Sequence, residues 1–538
     1  MKLRVIGLLA AAALLSGAFS ACAQQSAAPG GSASPAPASA SSGGTRADTF
    51  ILAQGADPRG LDPAYVDDGE SAKVMCNIYE GLTRYADDST EVLPCLADSW
   101  TVSDDGLVYT FKLHEGVKFQ DGTDFNAEAV KFSFDRQIDY DKRTWEDAPY
   151  ADMPYASFVF DTVADVKVLG DYEVEITLSQ PNSAFLANMA MTMAAPIVSP
   201  AAMDNDPNST ALMENPVGTG PYKFVKWNKE ENIQLVRNDE YWGEKALTQN
   251  VVFRFITDNA ARVLALNNNE IDMCDGVDAT LVDQIKNGGS KLYEAEGMNI
   301  NYMAYNTESP IFKDQANRIA VSQAINVPEL VESLYQGFAT PADTILPTFV
   351  PGFSPDVRQI AYDPAAAQAA IDKAGITEVH MIAYSNPRPY NPATGETLAV
   401  AIAGYLEKMG IKTTIDKYDW TTYKEKVQTE SYDICFYGWT GDNGDPDNFM
   451  NLLADESLAM NVSRFRDPVY NEMIKTALAM PNGPDREAKY AEMEKYIAER
   501  AIWLPISHGK VLAGYRDGVS GFVFHQTGDL LCKKVVVK

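Results

Sequence analysis

The stretch 379–448 limits the fold more than any other part of the chain. Residues 379–384 form an apolar run of strand character. From Glu396 onward Leu398, Ile402, Tyr405, Leu406 and Met409 recur at helical spacing, and Gly410 follows where a left-handed residue ends a helix. This predicts a helix over 397–409. Ile411, Thr413 and Ile415 then alternate with Lys412, Thr414 and Asp416, the period of a half-buried strand. A short helix is expected over 421–429. Residues 432–438 are a nearly unbroken β-prone run, as in a parallel strand covered on both faces. Strands and helices in alternation build an α/β sheet, whose ligands gather at the carboxyl ends of the strands. Two polar loops leave such ends, Asn386-Pro387-Arg388-Pro389-Tyr390-Asn391-Pro392 and Gly438-Trp439-Thr440-Gly441-Asp442-Asn443-Gly444-Asp445-Pro446-Asp447-Asn448. They are expected to be two halves of one site.

The chain begins with Lys2 and Arg4, an apolar run over 5–15, and Phe19-Ser20-Ala21-Cys22. This is the order of a signal peptide, too short for a membrane span. Cys22 stands where a lipobox places the cysteine that is acylated, with Phe19 in place of the usual Leu; an ordinary cleaved secretory signal is the competing reading. Residues 23–45 contain only Ala, Ser, Gly, Pro, Gln and Thr. Such a segment cannot bury enough surface to fold and reads as a tether reaching roughly 25 to 30 Å.

The remaining body, 48–538, is too large for one simple core and should divide into two or three domains. The net charge is −30, and −32 without Lys2 and Arg4. With no basic stripe to neutralise phosphates, nucleic acid is an improbable partner. Apart from Cys22 the cysteines are Cys76, Cys95, Cys274, Cys435 and Cys532, an odd number with no C-x-x-C pair. Neither a zinc site nor a full disulfide framework is indicated, although one or two bridges are allowed in an oxidising compartment. Cys435 falls in a strand and reads as a buried thiol.

Catalytic signatures are missing: the sequence contains no G-x-S-x-G, H-E-x-x-H, G-x-x-x-x-G-K-[ST] or G-x-G-x-x-G. His114, His380, His508 and His525 are scattered singly, as surface or satisfied core residues are. Asp442, Asp445 and Asp447 sit in a loop that lacks the EF-hand spacing, so no metal or cofactor is expected.

At the start of the body, 50–54 reads as a strand, 74–82 as a helix, Asp104-Asp105-Gly106 as a turn, and 108–113 as a strand. A helix follows over 126–137 with Asn126 as its cap. These features describe a mixed, mostly antiparallel subdomain. Together with Pro216-Val217-Gly218-Thr219-Gly220-Pro221-Tyr222, Tyr305-Asn306-Thr307, Tyr362-Asp363-Pro364 and the two polar loops, they carry a resemblance. The chain resembles family 5 ABC-transporter solute-binding proteins, which carry dipeptides, oligopeptides or nickel, and is most similar to the dipeptide branch.

That resemblance implies an α/β, two-lobe periplasmic-binding-protein-like fold of type II, cluster C, with an extra mixed β subdomain. The implied division is signal peptide 1–21, lipidated Cys22 and tether 22–47, first lobe 48–93 and 215–299, extra subdomain 94–214, second lobe 300–506, and a return to the first lobe over 507–538. Hinges are expected near 301–306 and 504–508. The implied role is a monomeric extracytoplasmic lipoprotein that hands short peptides to ABC permease subunits in the membrane. Nickel, haem or longer peptides are the alternative cargo within the family, and a secreted hydrolase is the alternative outside it. The resemblance gives the ligand's ammonium to Asp442 and its carboxylate to Arg388. A buried zwitterion needs both charges matched, and the planar guanidinium fork suits a carboxylate. By position the backbone of Asp67, Asp68 and Gly69 should face the ligand from the first lobe, and that of Gly438, Trp439 and Thr440 from the second, as an added strand would require.

Replacing Cys22 should sever the anchor, because a diacylglyceryl group supplies the two chains that lasting attachment needs. Fractionation of cells expressing Cys22→Ala is expected to find the protein released from the membrane; unchanged membrane association would refute the lipid.

Overall fold

The computed structural model describes residues 48–138, 153–455 and 460–538, so the expected signal peptide and tether lie outside the described residues. All of the described chain falls within one compact unit, Gly44–Lys538. Among the described residues no helix is long and apolar enough to cross a membrane.

Two sheets share one long strand, Trp503–Tyr515. Its first part pairs antiparallel with Asn299–Tyr305, and its second part with Lys291–Glu296. On one side the order continues through Met273–Cys274, Thr49–Gln54, Asn250–Phe255, Asn232–Arg237 and Tyr222–Asn228, which builds the first lobe. On the other it runs through Asn299–Tyr305, Ile434–Thr440, Glu378–Tyr384 and Lys412–Tyr418, the second lobe. Between the two sheets the chain crosses at 297–299 and 507–510. The first crossing lies earlier than the expected 301–306, because strand Asn299–Tyr305 is already paired on both edges inside the second lobe. Asn299 clasps the crossings: its Nδ2 donates to the Gly509 carbonyl at 2.9 Å and its Oδ1 accepts from Gly509 N at 2.7 Å.

The apolar cores follow this division. One cluster lies within 298–506, a second within 82–197, and two smaller ones belong to the first lobe and the C-terminal return. Beside the hinge, Phe338 of the second lobe packs on a first-lobe cluster. The subdomain sheet is antiparallel throughout, Ala97–Val102, Val108–Leu113, Glu173–Leu178 and Val163–Gly170 in spatial order. Helix Ala127–Asp135 packs with it, and Asn126 accepts from Ala129 N at 3.0 Å, as its cap position predicts. A buried bidentate pair ties this unit to the first lobe, with Arg136 donating to Asp62 at 3.1 and 2.8 Å.

The helix expected over 74–82 is found earlier, at Gly69–Met75. Asp68 starts it by accepting from Ser71 N at 2.9 Å. Beyond Cys76 the backbone serves another partner: the carbonyls of Asn77 and Ile78 accept from Tyr222 N and Gly220 N at 3.0 and 2.8 Å. Gly218 and Gly220 have no room for a side chain there, since a Cβ would lie 2.3 and 2.7 Å from the Ile78 carbonyl oxygen. The central stretch forms as read, with Glu378–Tyr384, helix Gly395–Lys408, Lys412–Tyr418, helix Trp420–Thr429 and Ile434–Thr440. One feature differs. Ile434–Thr440 is parallel to Glu378–Tyr384 but antiparallel to Asn299–Tyr305 along its whole length, so the sheet is mixed.

Candidate functional site

Met381 pairs with Ile434 and Ile382 with Cys435 in parallel, so loops 385–394 and 441–446 leave the same edge of the sheet side by side. Cys435 is a fully buried free thiol there, and the other described cysteines are free as well.

Arg388 is held by its own backbone and by a buried network beneath it. Its N–H and carbonyl exchange hydrogen bonds with Asn391 at 3.0 and 2.8 Å. Asn391 is fully buried; its Oδ1 accepts from the Tyr335 hydroxyl at 2.8 Å, and its Nδ2 donates to the Tyr384 hydroxyl at 2.9 Å. Asn301 Nδ2 donates to Tyr335 at 3.0 Å and closes the chain of contacts. Above this platform the guanidinium stacks on Trp420, 4.1 Å from the ring centroid. Its Nε and the neighbouring Tyr390 hydroxyl are buried without hydrogen-bond partners. Among the described residues no carboxylate forms an ion pair with Arg388.

Asp442 is the complementary charge. Its Oδ1 accepts from the Tyr155 hydroxyl at 2.7 Å and its Oδ2 from Asn448 Nδ2 at 3.0 Å. Asn448 in turn accepts from Asp442 N at 3.0 Å and from Trp439 Nε1 at 2.8 Å, which fixes the loop's start against its end. Burial raises the carboxyl's pKa, partly offset by those two donors, and among the described residues no cation pairs with it. Such a carboxylate is a prepared seat for a cation.

Asp445 in the same loop is already paired. Arg486 binds it through two hydrogen bonds of 2.7 and 2.8 Å, both side chains being buried. Asp447 lies behind them, with Oδ1 buried and unpartnered. Burial first, then the Asp445 charge, push its carboxyl up to about 7, against the pull of Arg486. Among the described residues no group of three or more His, Cys, Asp or Glu side chains is placed to hold a metal ion.

The backbone positions divide. Strand Ile434–Thr440 meets Glu378–Tyr384 only through Ile434 and Cys435, so among the described residues 437–440 have no strand partner on that edge. Gly438 lies under Tyr390, and a Cβ there would sit 2.2 Å from that ring, so its smallness serves packing. Trp439 is half-buried and Thr440 exposed. In the first lobe Asp68 caps helix Gly69–Met75, the Asp67 carboxylate binds Arg59, and the Cα of Gly69 faces open space, with nothing within 4 Å of a Cβ built on it. Tyr155 links this side to Asp442: burial raises its hydroxyl pKa most, then Asp442, and Asp67 also contributes. A separate cavity of about 490 Å³ between the first lobe, the subdomain and the C-terminal return is lined by Glu80, Tyr241, Met191 and His525 among others, and neither Arg388 nor Asp442 lines it.

Sequence reading missed Tyr155, Trp420, Asn448 and Arg486. Trp420 and Asn448 are adjacent to recognised elements, a predicted helix start and a loop end. Tyr155 and Arg486 come from distant segments and carry no local signal.

Two lobes on a shared strand, with paired loops offering a cation and an anion that are unmatched among the described residues, are an arrangement that suits a solute-binding protein. Residues 91–460 match the bacterial extracellular solute-binding proteins, family 5 Middle, and the chain belongs to that family. It is 30% identical to the dipeptide-binding protein of Escherichia coli, over 90% of this chain and 93% of the relative. It is 29% identical to heme-binding protein A of Haemophilus influenzae, over 97% of each. Among solved structures, HbpA2 from Haemophilus parasuis superposes with a TM-score of 0.83 at 27% identity, covering 91% of this chain and all of that one. The periplasmic binding protein DppA from Helicobacter pylori, in complex with the peptide STSA, superposes with a TM-score of 0.74 at 29% identity, covering 90% and 98%.

The raised carboxyl of Asp447 has a definite consequence for stability. The folded state holds its proton more tightly than the unfolded chain does, so folding loses stability as pH rises from the ordinary carboxylate range toward about 7. Asp447→Asn removes that loss. Its melting temperature is expected to gain on the wild type between pH 5 and pH 8; an offset that does not change with pH would contradict this reading.

Proposed function

We propose that this chain is an extracytoplasmic carrier of short peptides, dipeptides first, anchored through Cys22 and delivering its cargo to an ABC importer. The observation that carries the reading is the pair of charges on adjacent loops of one lobe that are unmatched among the described residues. Asp442 is seated for an ammonium and Arg388 for a carboxylate. The unpaired edge at 437–440 supplies main-chain groups that bind an extended ligand whatever its side chains. Asp67, Asp68 and Gly69 face the same ligand from the first lobe, where the open space at Gly69 leaves room for it.

Holding both ends measures length. Each extended residue adds about 3.3 to 3.6 Å, more than a hydrogen bond can stretch, so an added residue moves the carboxylate off a fixed guanidinium. Longer peptides are the second reading, favoured by the four-residue ligand of the Helicobacter pylori relative.

Calorimetry on ligand-stripped protein separates these readings. Loss of one partner of a buried pair costs on the order of 3 to 5 kcal/mol, roughly a hundred- to several thousand-fold in affinity. N-acetylation or C-amidation of a dipeptide should therefore nearly abolish binding, Asp442→Asn should chiefly harm ammonium recognition, and Arg388→Ala should weaken dipeptides far more than longer peptides. Because Asp442 has a raised pKa, it loses its charge sooner than an ordinary aspartate as pH falls, and dipeptide affinity should fall with it. Equal affinity for di-, tetra- and hexapeptides would sink the two-ended site and leave the longer-peptide carrier.

A further inference from the structure

The second lobe touches the extra subdomain through side chains and backbone outside the crossings. Asn443 Nδ2 donates to Asn188 Oδ1 at 2.6 Å, and both side chains are buried, at 1% and 2% exposure. Ser183 N donates to the Leu478 carbonyl at 2.9 Å, and Asn482 Nδ2 donates to the Ser183 carbonyl at 3.0 Å. Asn188 ends the short helix Phe185–Asn188, and Asn443 follows Asp442 in the loop that seats the ammonium. Asn443 is fixed from its own lobe, because its Oδ1 accepts from Asp445 N at 2.9 Å and Asp445 is clamped by Arg486.

These contacts cross a boundary that apolar packing does not. The second-lobe cluster and the subdomain cluster share no residue. Separating the two faces therefore exposes polar groups that water can satisfy, at modest cost, whereas a shared core would resist separation. In the joined state each amide has exchanged water for the other. A mismatch there would leave a buried polar group unpaired, so the contact tolerates only one closed register.

We propose that Asn188 and Asn443 form a latch that holds the subdomain against the second lobe, populates a closed form before ligand arrives, and slows the ligand's escape. They are positioning residues, acting on the ligand through the closed state. The inference rests on the two-lobe carrier reading above, while its first test needs no ligand. Asn188→Ala removes the bond, and its melting temperature checks that the variant folds. Asn482→Ala tests the same face from an exposed position, where Asn482 Oδ1 also accepts from Arg486 at 3.0 Å.

Small-angle scattering of ligand-stripped protein should give a larger radius of gyration for Asn188→Ala and for Asn443→Ala than for the wild type, with the double variant no larger than either. With the dipeptide Ala-Leu as probe, dissociation should quicken by about five- to tenfold and association should not slow, because the loss falls on the closed state, which ligand cannot enter. Asn482→Ala should move both readings in the same direction by a smaller amount. Unchanged radii in the stripped variants overturn the latch even if dipeptides bind tightly. Enlarged radii with no dipeptide binding uphold the latch and overturn the peptide reading.

Discussion

A single strand, Trp503–Tyr515, belongs to both sheets, and the mechanics of the molecule depend on it. It joins lobes whose apolar clusters are almost entirely separate, so the joint is a ladder of backbone hydrogen bonds clasped by Asn299, with no continuous core beneath it. Backbone pairing fixes how the lobes are connected, and a few dihedral changes at the crossings would disturb little buried apolar surface. Gly297 and Gly509 make this joint compact: at Gly297 a Cβ would come within 2.4 Å of the Gly509 carbonyl oxygen.

On such a frame, charge decides what each part of the acidic loop does. Asp445 has a bidentate arginine and is spent on holding the loop's shape. Asp442, three residues earlier, has neutral donors, Tyr155 and Asn448, and among the described residues no cation. A carboxylate kept from water with no cation retains much of its Coulombic attraction for a ligand that brings one. Arg388 is the mirror case, supported by an indole face and a buried amide network that carry no charge.

Three bodies meet at the cleft, and the subdomain contributes more than bulk. Tyr155 reaches Asp442 and Asn188 reaches Asn443, consecutive residues of the other lobe. The two residues of the acidic loop that the subdomain contacts are thus adjacent in the chain.

The central α/β stretch was legible in the sequence because it is governed by local period. Leu398, Ile402 and Leu406 mark a helix face, and a polar loop after each of two neighbouring strands marks a ligand edge, whatever else the chain does. Arg388 and Asp442 stood out for the same reason, as charges in loops between strongly patterned elements. Helix Gly69–Met75 was misplaced because the residues after Cys76 have good helical spacing but lend their carbonyls to Gly220 and Tyr222, more than 140 residues away. The antiparallel pairing of Asn299–Tyr305 with Ile434–Thr440 was equally hidden, since a fully buried strand looks the same whichever way its neighbour runs. The sequence by itself determined the elements, the two loops and their unlike charges. Only the tertiary structure decided which charges are paired, that Arg486 takes Asp445 and leaves Asp442, and that Tyr155 and Asn188 reach the acidic loop, because pairing depends on distances between segments that local periodicity does not encode.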